Sequence, residues 1–330
     1  MNRSSVNDPA LALADEWQRD FPLCDRPFAA LGASANLTEG EVIDFLQQLK
    51  DRGILGRIGA AVRPNTVGAS TLAAMAVPPD LLPEVAQTVN AVPGVNHNYE
   101  REHDINLWFV VTAASRSDVA HTLESIERQT GFPVFDLPLE RAYHIDLGFR
   151  LAGPRRKQGQ KPPLPYVVDP VDRTLLSEIE DGLALIPRPY AQLARHLGLS
   201  EVEILARLET LVDARIISRF GCILRHRRLG FRANAMAVWD VPDREVDDVA
   251  ERLSGQDNVT LCYRRRRMPP SWPFNLFAMI HGRERNAVTT QIAEAELATG
   301  VIGYPSAILF SRRCFKQSGA RFSHPVKGAA

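Results

Sequence analysis

Residues Leu199–Phe220 read LSEVEILARLETLVDARIISRF. Ile204, Leu205, Leu208 and Leu211 recur at helical spacing, which predicts one apolar helix face, and Ser200 stands where a helix N-cap belongs. A shorter helix opening at Pro189 and ending at Gly198 precedes it. Two helices joined by a short glycine-containing turn make a helix-turn-helix. The next residues, RIISRFGCILR, read as a strand or wing.

Working outward, the same pattern occurs earlier in the chain. Arg26-Pro27-Phe28 matches Arg188-Pro189-Tyr190, Leu37-Thr38-Glu39 matches Leu199-Ser200-Glu201, and Leu46, Ile54, Arg57 and Gly59 fall on Leu208, Ile216, Arg219 and Gly221. The match continues, with Val95 and Tyr99 on Val259 and Tyr263, and Asn106-Leu107 on Asn275-Leu276. The spacing between copies grows in the region of MPPSW, so the second copy carries an insertion there. This is duplication of a unit of about half the chain, not a short solenoid period.

Each helical part leads into an α+β part. In the first copy STLAAMAVP, VNHNYE, HDINLWFVVTA and VFDLPLERAYHI read as strands, with helices at DLLPEVAQTVNAVP and SDVAHTLESIERQTG. Strand-helix-strand-strand-helix-strand is the ferredoxin-like order, and the second copy repeats it. The chain is therefore α+β, with two tandem units. Residues 1–65 form a first helix-turn-helix domain, 66–150 a first ferredoxin-like domain, 151–168 a linker rich in proline and basic residues, 169–228 a second helix-turn-helix domain and 229–330 a second ferredoxin-like domain.

Of the 330 residues, 45% are hydrophobic and 24% charged, as in an ordinary globular protein. The 39 basic and 39 acidic residues cancel, so no global charge draws the chain to nucleic acid. Four scattered cysteines without a CxxC pair read as reduced thiols of a cytoplasmic protein. No signal peptide and no membrane helix are read.

Two polar bursts stand out. HNYEREHDINLWF holds His97, Tyr99, Arg101, His103, Asn106 and Trp108, and LCYRRRR…WPFNLFAMIHGR holds Tyr263, the arginines Arg264, Arg265, Arg266 and Arg267, and Asn275. The scaffold resembles the Lrp/AsnC family of regulators. The two bursts resemble those of the siroheme decarboxylases of the alternative haem and haem d1 pathways, in the order of a NirD-type subunit fused to a NirL-type subunit. The resemblance covers nearly the whole chain. It implies removal of CO2 from two acetate side chains of siroheme to give 12,18-didecarboxysiroheme, with no cofactor beyond the iron tetrapyrrole substrate itself. It also implies an internal pseudo-dimer of the two units and leaves further homo-oligomerisation open.

Siroheme carries eight carboxylates, and guanidinium groups pair two oxygens at once. Arg264, Arg265 and Arg266 are read as carboxylate anchors with Arg101 and Tyr263. Alternation along a strand sends Arg264 and Arg266 one way and Arg265 and Arg267 the other. Arg101 falls one position from the match of Arg264, which makes the first copy the less basic one. His97 and His103 are the candidates for proton transfer, since histidine titrates near neutrality, and His97 is also the candidate axial ligand to the substrate iron. Tyr99 and Arg101 share a strand face with His97. Trp108 is a candidate to pack the macrocycle, Asn106 and Asn275 to fix the strand turn or bind a carboxylate, and His144 to reach the same pocket. His281 reads as a strand-end or site residue, and His121, His196, His226 and His324 as surface or satisfied residues.

The competing reading is a tetrapyrrole-responsive regulator of the Lrp/AsnC type, and a third is a tetrapyrrole carrier without chemistry. A recognition helix needs basic and amide side chains. Thr38–Asp51 holds Glu39, Glu41, Asp44 and Asp51 against Lys50, and Ser200–Asp213 holds Glu201, Glu203, Glu209 and Asp213 against Arg207. Both helices repel a polyanion, so DNA binding is not expected.

Overall fold

The computed structural model describes residues 8–145, 148, 151 and 163–319. Most of the expected linker, and His324, lie outside the described residues. The chain runs as α1 (Pro9–Glu16), α2 (Pro27–Ala35), α3 (Glu39–Asp51), β1 (Leu55–Val62), β2 (Ala69–Met75), α4 (Leu82–Ala91), β3 (Val95–Arg101), β4 (Leu107–Ala113), α5 (Arg116–Thr130) and β5 (Phe135–Ile145). The second copy follows with α6 (Pro170–Glu178), α7 (Pro189–Leu197), α8 (Glu201–Asp213), β6 (Ile217–Leu224), β7 (Ala233–Trp239), α9 (Val246–Ser254), β8 (Val259–Arg265), β9 (Leu276–Gly282), α10 (Arg285–Thr299) and β10 (Ser306–Gln317). No helix is long and apolar enough to cross a membrane.

Packing regroups these elements by kind rather than by chain order. One compact unit takes 8–67, 151 and 163–229, the two helical parts; the other takes 68–145, 148 and 230–319, the two α+β parts. In the helical unit, Pro27 and Pro189 open α2 and α7, where a missing N–H costs nothing. Left-handed Asn36 and Gly198 close them. Thr38 and Glu41 form a reciprocal capping box on α3, and Ser200 accepts from the Glu203 N–H on α8. The wing strands do not stand alone: β1 and β6 pair antiparallel, with Gly59 opposite Gly221. The chain after α1 runs tight against Gly221, where a Cβ would stand 2.5 Å from the Gln18 backbone. The approach at Gly59 is looser, with Ile179 O 3.2 Å from the corresponding position.

In the α+β unit the strands form one closed barrel, ordered β10-β3-β4-β2-β5-β8-β9-β7. Each half keeps its ferredoxin-like order, but its last strand overruns it. β5 pairs β2 through Phe135–Pro138 and β8 through Leu139–Ile145, while β10 pairs β7 through Ser306–Phe310 and β3 from Ser311 onward. Closure removes the open sheet edges. Alternation then sorts the side chains. On β4, Leu107, Phe109 and Val111 pack under α4 and α5, whereas Trp108 joins Ile105, Leu137, Met236, Val238, Trp272, Phe277 and Leu309 in a core inside the barrel. α9 and α10 cover the second half in the same way, through Val249, Leu253, Val288 and Ile292.

Candidate active site

A register shift between Val95 and His97 lets β3 turn His97, Tyr99 and Arg101 toward the inside of the barrel, opposite Val110 and Trp108 of β4. The three side chains form a column. The His97 and Tyr99 rings stack with centroids 6.3 Å apart, and Arg101 Cζ lies 5.8 Å from the Tyr99 centroid. Arg101 is buried, donates to Leu309 O at 3.1 Å, and places Nη2 3.8 Å from Met279 Sδ.

The second half repeats the device with Tyr263 and Arg265. Arg265 Cζ lies 5.2 Å from the Tyr263 ring, and Nη1 donates to Leu137 O at 2.8 Å. Burial pushes Arg265 down to about 10 and holds the Tyr263 phenol far above its ordinary range. Arg265 stays cationic at neutral pH. Among the described residues it forms no ion pair, and its Nε is buried without a partner.

The histidines differ in tautomer. Asn96 Nδ2 donates to Thr112 Oγ1 at 2.8 Å, so Asn96 Oδ1 faces His97 Nδ1, also at 2.8 Å, and accepts its proton. Neutral His97 therefore carries its lone pair on Nε2. His103 Nδ1 instead accepts the Ile105 N–H at 3.0 Å, which puts the neutral ring's proton on Nε2. Burial lowers the His103 pKa, with Asp104 opposing weakly. The second copy's insertion contributes to that burial, because Trp272 meets the His103 ring edge-on at 5.4 Å. This column of imidazole, phenol and guanidinium against an apolar interior can hold a carboxylate and move a proton.

Family models place this architecture. The AsnC-like ligand binding domain matches residues 67–144 and 228–316, and the siroheme decarboxylase NirDL-like HTH domain matches 12–55 and 172–217. The siroheme decarboxylase NirDL subunit of Paracoccus denitrificans (strain Pd 1222) is 47% identical over 317 residues, covering 96% of this chain and 98% of that protein. The chain belongs to the siroheme decarboxylase NirDL family. A siroheme decarboxylase of Hydrogenobacter thermophilus (strain DSM 6534 / IAM 12695 / TK-6) is 32% identical, covering 91% of this chain and 90% of that one. The crystal structure of a siroheme decarboxylase NirDL in co-complex with an iron-uroporphyrin III analogue superposes with a TM-score of 0.69 at 27% identity, covering 96% of this chain and 93% of that one.

In this NirDL-family fold several sequence-derived candidates change role. Arg101 is the structural counterpart of Arg265, not a displaced match of Arg264, so the two copies are equally basic inside the barrel. The arginine run disperses. Arg264 turns to Glu140, Asp243 and Asp247, Arg267 to Asp240 and Asp243, and Arg266 is exposed. Carboxylates already satisfy Arg264 and Arg267, leaving Arg265 as the member of the run that faces the core.

Asn106 and Asn275 are structural clamps. Asn106 pairs both ways with the Val77 backbone at 3.0 and 2.8 Å, and Asn275 with Val241 at 3.0 and 2.9 Å. Their own carbonyls accept the Arg101 and Arg265 N–H groups at 2.8 Å. Both amides thus fix the chain where two strands meet, and Asn275 Nδ2 also lies 3.4 Å from Asp243 Oδ1. Trp108 is core: its N–H goes to Ile105 O, and its ring packs against Trp272 at 4.9 Å. His144 lies on β5 opposite Cys262, beside the Tyr263 strand rather than the His97 strand. Asn96, which sets the His97 tautomer, was not among the sequence candidates; its signal is adjacency to His97 and its match to Thr260.

Proposed function

We propose that this chain is a siroheme decarboxylase. It removes CO2 from two acetate side chains of siroheme and yields 12,18-didecarboxysiroheme, a step toward haem d1. The observation that carries this reading is the buried Arg101, in line with Tyr99 and His97 on the inner face of an apolar barrel. The names of its Paracoccus and Hydrogenobacter relatives support it.

In each turnover Arg101 holds a substrate carboxylate. The C–C bond to that carboxylate breaks, CO2 leaves, and the electron pair passes into the macrocycle, which serves as the electron sink. A proton then completes a methyl group. His97 is placed to supply it, or to meet the substrate iron, through Nε2, because Asn96 holds Nδ1. His103, neutral and donating through Nε2, is suited to bind an acceptor oxygen of the substrate. Burial of the arginine strengthens its hold on an anion, since little water competes there.

The helix-turn-helix parts serve architecture in this reading. Arg207, the basic residue of α8, is held by Asp169 and Asp172 at 2.9 Å each, and matched ion pairs Arg26–Glu39 and Arg188–Glu201 tie the helices together. The pairing of β1 with β6 and the closed barrel support an internal pseudo-dimer. Cys24, Cys222, Cys262 and Cys314 form no disulfide with one another, which supports a reducing, cytoplasmic setting. Anaerobic incubation with siroheme followed by mass analysis tests the function. Loss of two carboxyl groups as CO2 is the expected result, and an unchanged pigment refutes it.

A further inference from the structure

Arg265 is a cation that the chemistry above leaves unused. Its Nη1 donates to Leu137 O at 2.8 Å, its Nε is buried without a partner, and its Nη2 makes no hydrogen bond among the described residues. Nε and Nη2 lie along one edge of a guanidinium, an edge that takes both oxygens of a carboxylate at once. Asp136, the acid whose charge bears on Arg265, already accepts from Thr71 Oγ1 and is paired with Arg116. An inward-turned cation in that state is costly, and an anion arriving from outside satisfies it.

The surroundings say what kind of anion fits. Residues directly opposite one another on paired strands share a face. On the second wall Leu139, Ala142 and Ile145 of β5 stand opposite Arg265, Tyr263 and Leu261 of β8. On the first wall Ser311, Cys314 and Gln317 of β10 stand opposite Arg101, Tyr99 and His97 of β3. Guanidinium and phenol recur, but the first wall is polar around them and the second aliphatic. All six residues of the second wall are only partly buried, so that surface is not sealed. Carboxylates already hold Arg264 and Arg267, which leaves one cation to serve this wall. A single charge in aliphatic surroundings matches a carboxylate carried on an apolar body.

We propose that the Nε–Nη2 edge of Arg265 is a second carboxylate seat, which takes a carboxylate on an apolar body and keeps it intact. Leu261 stands at the place of His97. His144 is opposite Cys262, which packs under α9 on the other face of the strand. The Tyr263 phenol is too weak an acid to replace them. A carboxylate held by Arg265 therefore meets no proton donor on its own wall. That it is kept rests on the decarboxylase reading above; the seat itself does not. Two sources present such a group: a carboxylate of siroheme that the reaction retains, and a separate organic acid.

The test titrates the full chain with butyrate, against chloride at equal ionic strength. It uses Arg101→Met, which silences the first wall, with and without Arg265→Met. Butyrate binds Arg101→Met and uncharged butyramide does not. Adding Arg265→Met weakens butyrate binding by about 10- to 100-fold, the scale of charge-assisted hydrogen bonds. A change within about threefold, or equal binding of butyramide, overturns the proposal. Where the Arg265→Met chain does not fold, Arg265→Lys replaces it under the same criterion, because an ammonium keeps the charge and loses the two-pronged edge. Siroheme that displaces butyrate from Arg101→Met identifies the occupant as a retained siroheme carboxylate, and siroheme that leaves butyrate bound identifies a separate acid. Full siroheme turnover by Arg101→Met that Arg265→Met then abolishes overturns the proposal, since the carboxylate on the second wall is then the one removed. A wild-type chain that binds siroheme and releases no CO2 refutes the decarboxylase reading and leaves the butyrate result standing.

Discussion

The two inner walls of the barrel carry the same tyrosine–arginine pair, held to the facing strand by the same kind of bond, Arg101 to Leu309 O and Arg265 to Leu137 O. They differ in what surrounds that pair. His97 extends the first wall where Leu261 extends the second, and the strand facing the first wall ends on His281 where its counterpart ends on Thr112. The guanidinium groups survive in both copies, whereas His97 has Leu261, not a histidine, at the matching place. On the proposed function, duplication left two carboxylate-holding frames and one proton-moving centre.

That comparison breaks most readily at the histidine. His97→Ala should lower siroheme turnover by about 10²- to 10⁴-fold, while Leu261→Ala should leave it within about threefold, read by CO2 release. Comparable losses in both would erase the distinction. The arginines come next. Arg101→Met should cost about 10- to 100-fold in kcat/KM, the worth of a charge-assisted hydrogen bond of ~1.5–3 kcal/mol, with Arg265→Met well below that. Equal losses would show that both walls hold a single substrate molecule together.

The helical unit supplies its own contrast. Gly221→Ala meets the Gln18 backbone and should destabilise by ~1–3 kcal/mol, whereas Gly59→Ala should cost less, measured by urea unfolding. His103 sharpens the account of the barrel through pH. Its folded pKa is depressed below the ordinary 6.5, so between those values the unfolded chain binds more protons. Stability should therefore fall as the pH drops through that window, and His103→Gln should flatten the slope. The smallest effect belongs to Arg264→Gln, which removes partly exposed ion pairs worth ~0–1 kcal/mol and should leave turnover within about twofold.

Much of the fold was legible because it depends on local periodicity. The caps at Thr38 and Ser200, the apolar stripe of α8 and the alternation of β4 are each set by residues close in sequence. The candidate site was legible in its first column, since His97, Tyr99 and Arg101 are two apart and must share a face of any strand. The arginine run misled because its charge says nothing about partners. Asp243 and Asp247, which engage Arg264, lie on another stretch of chain, and the register shift between Val259 and Leu261 on β8 precedes the run and bears on which of its residues turns inward. For the asparagines the sequence left two roles open, and the structure shows the one that fixes the strands, through bonds to Val77 and Val241 that form only once the strands are paired.

The sequence by itself determined the duplication, the α+β class and the family, because repeats and amphipathic periods are properties of neighbouring residues. Only the tertiary structure decided that like parts pair with like, that β5 and β10 cross into the opposite half to close the barrel, and that Arg101 and Arg265 each bond a carbonyl of the strand from the other half. Strand register and hydrogen-bond partners across the barrel arise from contacts far apart in the chain, and those contacts exist only after it has folded.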